Sequence, residues 1–209
     1  MNEPAPPLVF IVDDDASVRK SLARLIRAAG YQVEAFASAR EFLARPRHEA
    51  PCCLVLDVRM PGLTGLQLQE ALATAGHLTA TVFITGYGDV PVSVKAMKSG
   101  AVDSLTKPVD KQDLLGAIER AMTRARHASR EAARITDIRD RIKTLTPREA
   151  EVFALVVTGM LNKQIASDLG VSEKMVKVHR GRVMEKMRAG SLAELVRLAD
   201  QGGVIAATS

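Results

Sequence analysis

Asp57 closes the apolar run Cys53-Leu54-Val55-Leu56, and Pro61-Gly62 forces a turn soon after it. Four apolar residues with β-branched content read as a short strand buried on both faces. In an open α/β sheet, ligands bind outside the carboxyl ends of the strands. Asp57 therefore stands at an active edge, unless it only caps a turn, which is the commoner fate of a lone Asp. Asp57 has company. The run Leu8-Val9-Phe10-Ile11-Val12 ends in Asp13-Asp14-Asp15, Thr81 to Thr85 ends in a hydroxyl, and Val102 to Leu105 is followed by Thr106-Lys107-Pro108. If the strands are parallel, all of these residues meet at one edge. Clustered carboxylates repel, and their pKa values rise unless a cation sits among them. A hard divalent ion with oxygen ligands, Mg²⁺ or similar, suits the set, which has no His or Cys to favour zinc. A hydroxyl and an ammonium are what phosphoryl oxygens need. The constellation reads as acyl-phosphate chemistry: Asp57 as nucleophile, the metal on Asp14, and Thr85 and Lys107 on the phosphoryl oxygens. Unrelated caps and solvated charges are the plainer alternative.

The elements that must hold these residues follow from periodicity. Strands are expected at 8–12, 32–36, 53–56, 81–85 and 102–105. Between them the pattern gives a helix through Val18, Leu22, Leu25 and Ile26, a short one capped by Ser38, a third from Thr64 to Ala75, and a fourth over 90–99 closed by Gly100. A fifth helix begins at Asp110. Five strands alternating with helices predict a doubly wound, flavodoxin-like domain of parallel strands. From Lys111 to about Lys143 no Pro or Gly interrupts the pattern after Gly116, so one long basic helix is expected. Its Ile135, Ile138 and Ile142 form a narrow seam that could pair with a second chain, or lie on a solvated linker.

With 209 residues, 47% hydrophobic and 25% charged, the chain has the composition of a globular protein. No apolar run approaches the roughly 18 residues that span a bilayer. The opening Met1 to Pro7 has neither a basic nor an apolar segment, so a short disordered arm and no export signal are expected. Adjacent Cys52 and Cys53 suit neither a disulfide framework nor a spaced metal site; Cys53 reads as a small strand hydrophobe and Cys52 as a bystander. Reduced, cytoplasmic residence is the expectation. Residues 1–123 carry 13 Lys and Arg against 14 Asp and Glu, a balance of −1, whereas residues 124–209 carry 16 against 10, or +6. This asymmetry points to a nucleic-acid surface in the second half.

That half is all helical. Thr146-Pro147-Arg148-Glu149 is a capping box with Pro at the first helical position. Asn162 is expected to cap the next helix, and Gly170 separates it from another that starts at Ser172. Two helices so spaced describe a helix-turn-helix, and a last helix follows the box Ser191-Leu192-Ala193-Glu194. On the helix from Ser172, the 3.6-residue period places Val176, Val183, Met184 and Met187 on one face. Lys174, Lys177, Val178, Gly181 and Arg182 fall on or beside the opposite one. An apolar back with a basic front suits a major groove; a solvated face on a structural bundle is the plainer reading.

Here the residues match known families. The Asp13-Asp14 pair, Asp57, Thr85 and Lys107-Pro108, in this order and spacing, resemble the receiver domain of two-component response regulators over residues 8–123. The resemblance implies that Asp57 accepts a phosphoryl group from a sensor histidine kinase. It implies Mg²⁺ on Asp14, Asp57 and the backbone carbonyl of Arg59, with Asp13 acting mainly through water. Thr85 and Lys107 would report the phosphate, Arg59 and Tyr87 would flank it, and the Lys107–Pro108 bond would be cis. Receivers usually carry Tyr or Phe three residues before the Lys; Ser104 stands there instead. Residues 145–200 resemble the LuxR-type DNA-binding domain through Leu145-Thr146-Pro147-Arg148-Glu149, Asn162-Lys163-Gln164-Ile165-Ala166 and Val176-Lys177-Val178-His179-Arg180. Carried over, Lys177, Val178 and the Gly181 position face base edges, while Lys174, His179, Arg180 and Arg182 touch phosphate. The usual Thr before Val176 is Met175.

Together the halves are similar to the NarL/FixJ class of response regulators. The expected division is a receiver at 8–123, a helical linker at 124–143 and a helix-turn-helix domain at 144–209. Phosphorylation would reshape the face formed by the helix over 90–99 and the strand near Val102. Receivers would then form a homodimer, and paired effector domains, with the helix over 191–201 contributing to the dimer, would bind two half-sites in double-stranded DNA, with RNA polymerase as a further partner. Two rivals differ. An Asp-phosphate hydrolase generally needs a second Asp two residues after its nucleophile, where this chain has Arg59. A constitutive DNA-binding regulator with a vestigial receiver fits Ser104 but not the intact acidic set.

Overall fold

A computed structural model describes residues 7–48, 50–76, 79–86, 97 and 99–204. The N-terminal arm, Tyr87 and most of the helix expected over 90–99 lie outside the described residues. The chain divides into two compact units, 1–130 and 131–209.

In the first unit, β1 (Leu8–Val12), β2 (Gln32–Phe36), β3 (Cys52–Asp57), β4 (Ala80–Thr85) and β5 (Asp103–Thr106) form one sheet in the order β2-β1-β3-β4-β5. Every pairing is parallel. Among the described residues the connecting helices are α1 (Ala16–Ala28), α2 (Ala39–Ala44) and α3 (Gly65–Thr74), and α4 (Lys111–Lys143) follows the last strand. Side chains alternate between two apolar layers, as strand geometry requires. Val9, Ile11, Val55, Val82 and Ile84 pack with Leu22 and Ile26 of α1 and Leu114 and Ile118 of α4. Phe10, Val12, Leu54, Leu56 and Phe83 pack with Phe42 of α2 and Leu68 and Leu72 of α3. β3 and β4 are buried along their whole length, whereas edge strand β2 leaves Gln32, Glu34 and Ala35 exposed. Cys52 is no bystander: it opens β3, pairs in register with Leu8 and is buried.

The second unit comprises α5 (Pro147–Val157), α6 (Asn162–Leu169), α7 (Glu173–Met187) and α8 (Leu192–Gly202), together with the last turns of α4. Of the isoleucine seam of α4, Ile138 and Ile142 face the core of their own unit, while Ile135 is half-buried outside that cluster. Ile138 is buried in the core with Val152, Phe153, Val156, Ile165, Val176, Val183 and Leu195, and Ile142 packs against the same cluster. Gly202 makes the approach possible: a Cβ there would collide with Ile142 Cδ1 and stand 3.2 Å from Ile138 Cγ2.

Helix starts follow local capping chemistry. Thr146 and Glu149 form the expected reciprocal box, and Ser172 and Ser191 accept from the N–H groups of Met175 and Glu194. Asn162 does not cap α6. Leu161 holds the extended cap position, and its N–H donates to Gln164 Oε1 at 2.8 Å. Asn162 instead accepts from Arg180 Nη1 at 3.1 Å, so its carbonyl is committed to α7. Gly170, at φ +64°, turns the chain from α6 into α7.

Candidate functional site

Parallel pairing brings the ends of β1, β3 and β4 and the residues after β5 to one edge. Val12 pairs with Leu56, Asp57 with Ile84, and Thr85 with Thr106. Asp13 and Asp57 are almost fully buried there, Thr85 is fully buried and Asp14 is exposed. One carboxylate oxygen from each of Asp13, Asp14 and Asp57 can be chosen so that all lie within 4.8 Å of one another.

Lys107 lies between the two buried carboxylates. Its ammonium donates to Asp13 Oδ2 at 2.8 Å and to Asp57 Oδ2 at 3.0 Å. The remaining oxygens are held by backbone: Asp13 Oδ1 accepts from Asp15 N–H at 2.8 Å, and Asp57 Oδ1 from Arg59 N–H at 3.3 Å. Arg19 Nη1 fixes the Asp13 carbonyl at 2.7 Å. Burial pushes the Asp57 carboxyl above the usual carboxylate range, and the Lys107 hydrogen bond only partly offsets it. Burial opposes the Lys107 charge in turn, yet its bonds to Asp13 and Asp57 prevail and hold it above the usual lysine value. The Lys107–Pro108 peptide is cis, and Lys107 N–H donates to the Thr85 carbonyl at 2.8 Å. Thr85 Oγ1 points to the Leu105 carbonyl at 3.4 Å. Two buried carboxylates, a third at the rim, one ammonium and one hydroxyl form an oxygen-rich pocket suited to a hard cation and a phosphoryl group.

Sequence reasoning missed Gly65. A Cβ there would drive into the Asp57 carbonyl oxygen and stand 3.1 Å from both Asp57 C and Leu56 Cγ. The first residue of α3 thus packs directly on the Asp57 backbone, and its N–H donates to the Val58 carbonyl at 3.0 Å. The hint was a second glycine three residues after Gly62. Asp15, read as part of the acidic run, caps α1 through bonds from the N–H groups of Ser17 and Val18, which lower its pKa.

In the second unit, α7 buries Val176, Val183 and Met187 and leaves Lys174, Lys177, Val178, Gly181 and Arg182 exposed. His179 and Arg180 are half-buried, and the Arg180 guanidinium is engaged by Asn162. At the far end, Lys186 Nζ donates to the buried Glu149 carboxylate at 2.6 Å and to the Thr144 carbonyl at 2.9 Å. The Lys186 bond, reinforced by the Thr146 N–H, holds the Glu149 pKa down to about 2. The basic helix is thereby anchored to the start of α5.

Comparison with known proteins bears on both units. Residues 9–119 match the response regulator receiver domain, and residues 143–199 match the bacterial regulatory proteins of the luxR family. Nodulation protein W of Bradyrhizobium diazoefficiens is 47% identical over 199 residues, covering 95% of this chain and 88% of that protein. Transcriptional regulatory protein FixJ of Rhizobium meliloti is 44% identical over 195 residues, covering 93% of this chain and 96% of that protein. Among solved structures, the response regulator StyR superposes with a TM-score of 0.80 at 45% identity, over 94% of this chain and all of that one. These likenesses define a class: two-component response regulators that couple a receiver to a DNA-binding output and regulate transcription. Within that class the chain belongs to the NarL/FixJ family. Its relatives are transcription regulators, which sets the hydrolase reading aside. No helix among the described residues is long and apolar enough to cross a membrane.

Proposed function

We propose that Asp57 is the phosphoacceptor and that its phosphorylation drives dimerisation and tighter binding to DNA half-sites. The observation that carries this reading is the shared grip of Lys107 on Asp13 and Asp57 at 2.8 and 3.0 Å. An Asp57 oxygen attacks the phosphorus of a phosphohistidine; the new P–O bond forms as the P–N bond breaks, and the imidazole leaves. Lys107 transfers its hydrogen bonds from carboxylate to phosphoryl oxygens, and Thr85 Oγ1 turns from the Leu105 carbonyl to the same group. Turning Thr85 away from β5 offers a route for the signal that needs no aromatic at Ser104. Mg²⁺, held by Asp14, Asp57 and the Arg59 carbonyl with Asp13 behind water, would neutralise charge at the transferring group. Its donors fit: oxygen only, clustered, and one rim carboxylate open to solvent.

The receiver is 8–123 and the effector domain 144–209, with the helix over 124–143 between them. Lys177, Val178 and Gly181 face base edges, and Lys174, His179, Arg180 and Arg182 lie toward phosphates. A sensor histidine kinase is the phosphodonor, RNA polymerase is contacted on the promoter, and the protein works in the cytoplasm. The test is mass in solution and affinity for a duplex selected from a random pool, at fixed salt, with and without beryllofluoride and Mg²⁺. Wild type dimerises and binds about tenfold or more tightly, an apparent coupling in the usual 1–3 kcal/mol range, and Asp57→Asn does neither. Equal binding by both forms refutes phosphate control while leaving DNA binding intact.

A further inference from the structure

Over the first turns of α7, Glu173, Lys174, Lys177 and Arg182 are exposed and charged, Gly181 is bare, and Val176 is sunk in the core. Two exposed side chains depart from that pattern. Met175 is 46% exposed and Val178 is 42% exposed, and neither belongs to the apolar cluster of this unit. Single exposed apolar residues are ordinary on any surface. These two stand three residues apart on one helix, so their Cβ atoms are neighbours at about 5–6 Å. They also lie in the N-terminal half of the helix, the end that reaches base edges in helix-turn-helix docking.

Their surroundings favour contact with a duplex. Lys174 and Arg182 have no side-chain partner among the described residues and are free for phosphate, whereas Lys177 is 3.6 Å from Glu173. Beside Val178, a Cβ added at Gly181 would meet none of the described residues within 4 Å, so the helix backbone is open to close approach. Cations on phosphate, the role given to Lys174 and Arg182, supply affinity regardless of sequence. Apolar side chains discriminate, because the thymine C5-methyl is the apolar group displayed in the major groove.

We propose that Met175 and Val178 form an apolar pair that reads thymine C5-methyl groups on neighbouring base pairs of each half-site. The assignment rests on the DNA-binding role of this domain and adds a sequence preference to it. Full-length protein with beryllofluoride and Mg²⁺ is used to select duplexes from a random pool. Each thymine of the selected duplex is then replaced in turn by deoxyuridine, which lacks the methyl and keeps every hydrogen-bonding group. Binding weakens about fourfold at each position read, the effect of one methyl-sized apolar group returned to water. Met175→Gln loses the penalty at one position and Met175→Leu keeps it, while Val178→Ser loses it at the neighbouring position. Residual salt-sensitive binding by each variant shows that the domain is folded. Wild-type affinity indifferent to uracil at every position, or a penalty unchanged in Met175→Gln and Val178→Ser, overturns the assignment alone. Failure of any duplex to be bound overturns DNA binding itself, and the assignment falls with it.

Discussion

Gly65→Ala is expected to damage the phosphoacceptor site from outside it. The new Cβ would sit well inside the 3.0 Å that real Cβ atoms keep, and its nearest neighbour is the Asp57 carbonyl oxygen, a backbone atom with no rotamer to escape into. Relief requires α3 or the Asp57 backbone to retreat by most of an ångström. Leu56 Cγ, at 3.1 Å, and the buried length of β3 resist movement in the other direction. Overpacking of this kind costs about 1–3 kcal/mol. A displacement near 1 Å at a reacting group slows chemistry by roughly 100-fold. Unfolding by urea measures the first effect; the rate of Asp57 phosphorylation by a small acyl phosphate, followed by intact mass, measures the second. Gly116→Ala is the control. Among the described residues its Cβ meets only the flexible tip of Arg120 at 3.3 Å, and exchanging Gly for Ala inside a helix adds about 1 kcal/mol. Opposite signs for the two substitutions are expected. If Gly65→Ala retains wild-type stability and phosphorylates at the wild-type rate, the close approach of α3 does not position Asp57.

Two further outcomes follow from the second unit. Glu149 is held near pKa 2 in the folded chain against an ordinary value of 4.5, so its stabilisation is present above about pH 4.5 and is lost as pH falls through about 2. The stability difference between wild type and Glu149→Gln should therefore shrink across that window, whereas in a Lys186→Met background it should be small throughout. Ile138→Ala should lower the unfolding free energy of the effector domain by about 2–5 kcal/mol, because Ile138 is fully enclosed in that core. A change confined to dimerisation, with the domain's unfolding untouched, would restore the intermolecular role of the isoleucine seam.

The strands and most helix starts were legible because they depend on neighbours in sequence. Leu8–Val12 and Gln32–Phe36 end where apolar runs give way to acid or turn residues, and Ser38, Thr146, Ser172 and Ser191 cap helices through bonds spanning three residues. Asp13, Asp57 and Lys107 could be brought together on paper because a parallel sheet aligns strand ends, whatever the loops between them do. Readings that needed a distant partner failed or were never made. Ile138 and Ile142 meet Gly202 some sixty residues away, and nothing in the heptad-like spacing distinguishes a partner in the same chain from one in another. Asn162 looked like a cap because its type favours that role, but Arg180 engages it and Gln164 serves Leu161 instead. Cys52 looked incidental because its register with Leu8 is invisible until the sheet is built.

The two outer strands of the sheet, β2 and β5, carry a further consequence. A border strand presents unpaired N–H and C=O groups on which another chain can template itself, the starting point of uncontrolled aggregation. β2 exposes Glu34 at mid-strand, and β5 carries Asp103, which forms an ion pair with Arg120 of α4. Two molecules aligned border to border along β2 would bring acid against acid, which disfavours cross-strand pairing. Crowding many copies together should therefore leave each sheet at five strands instead of extending it from molecule to molecule.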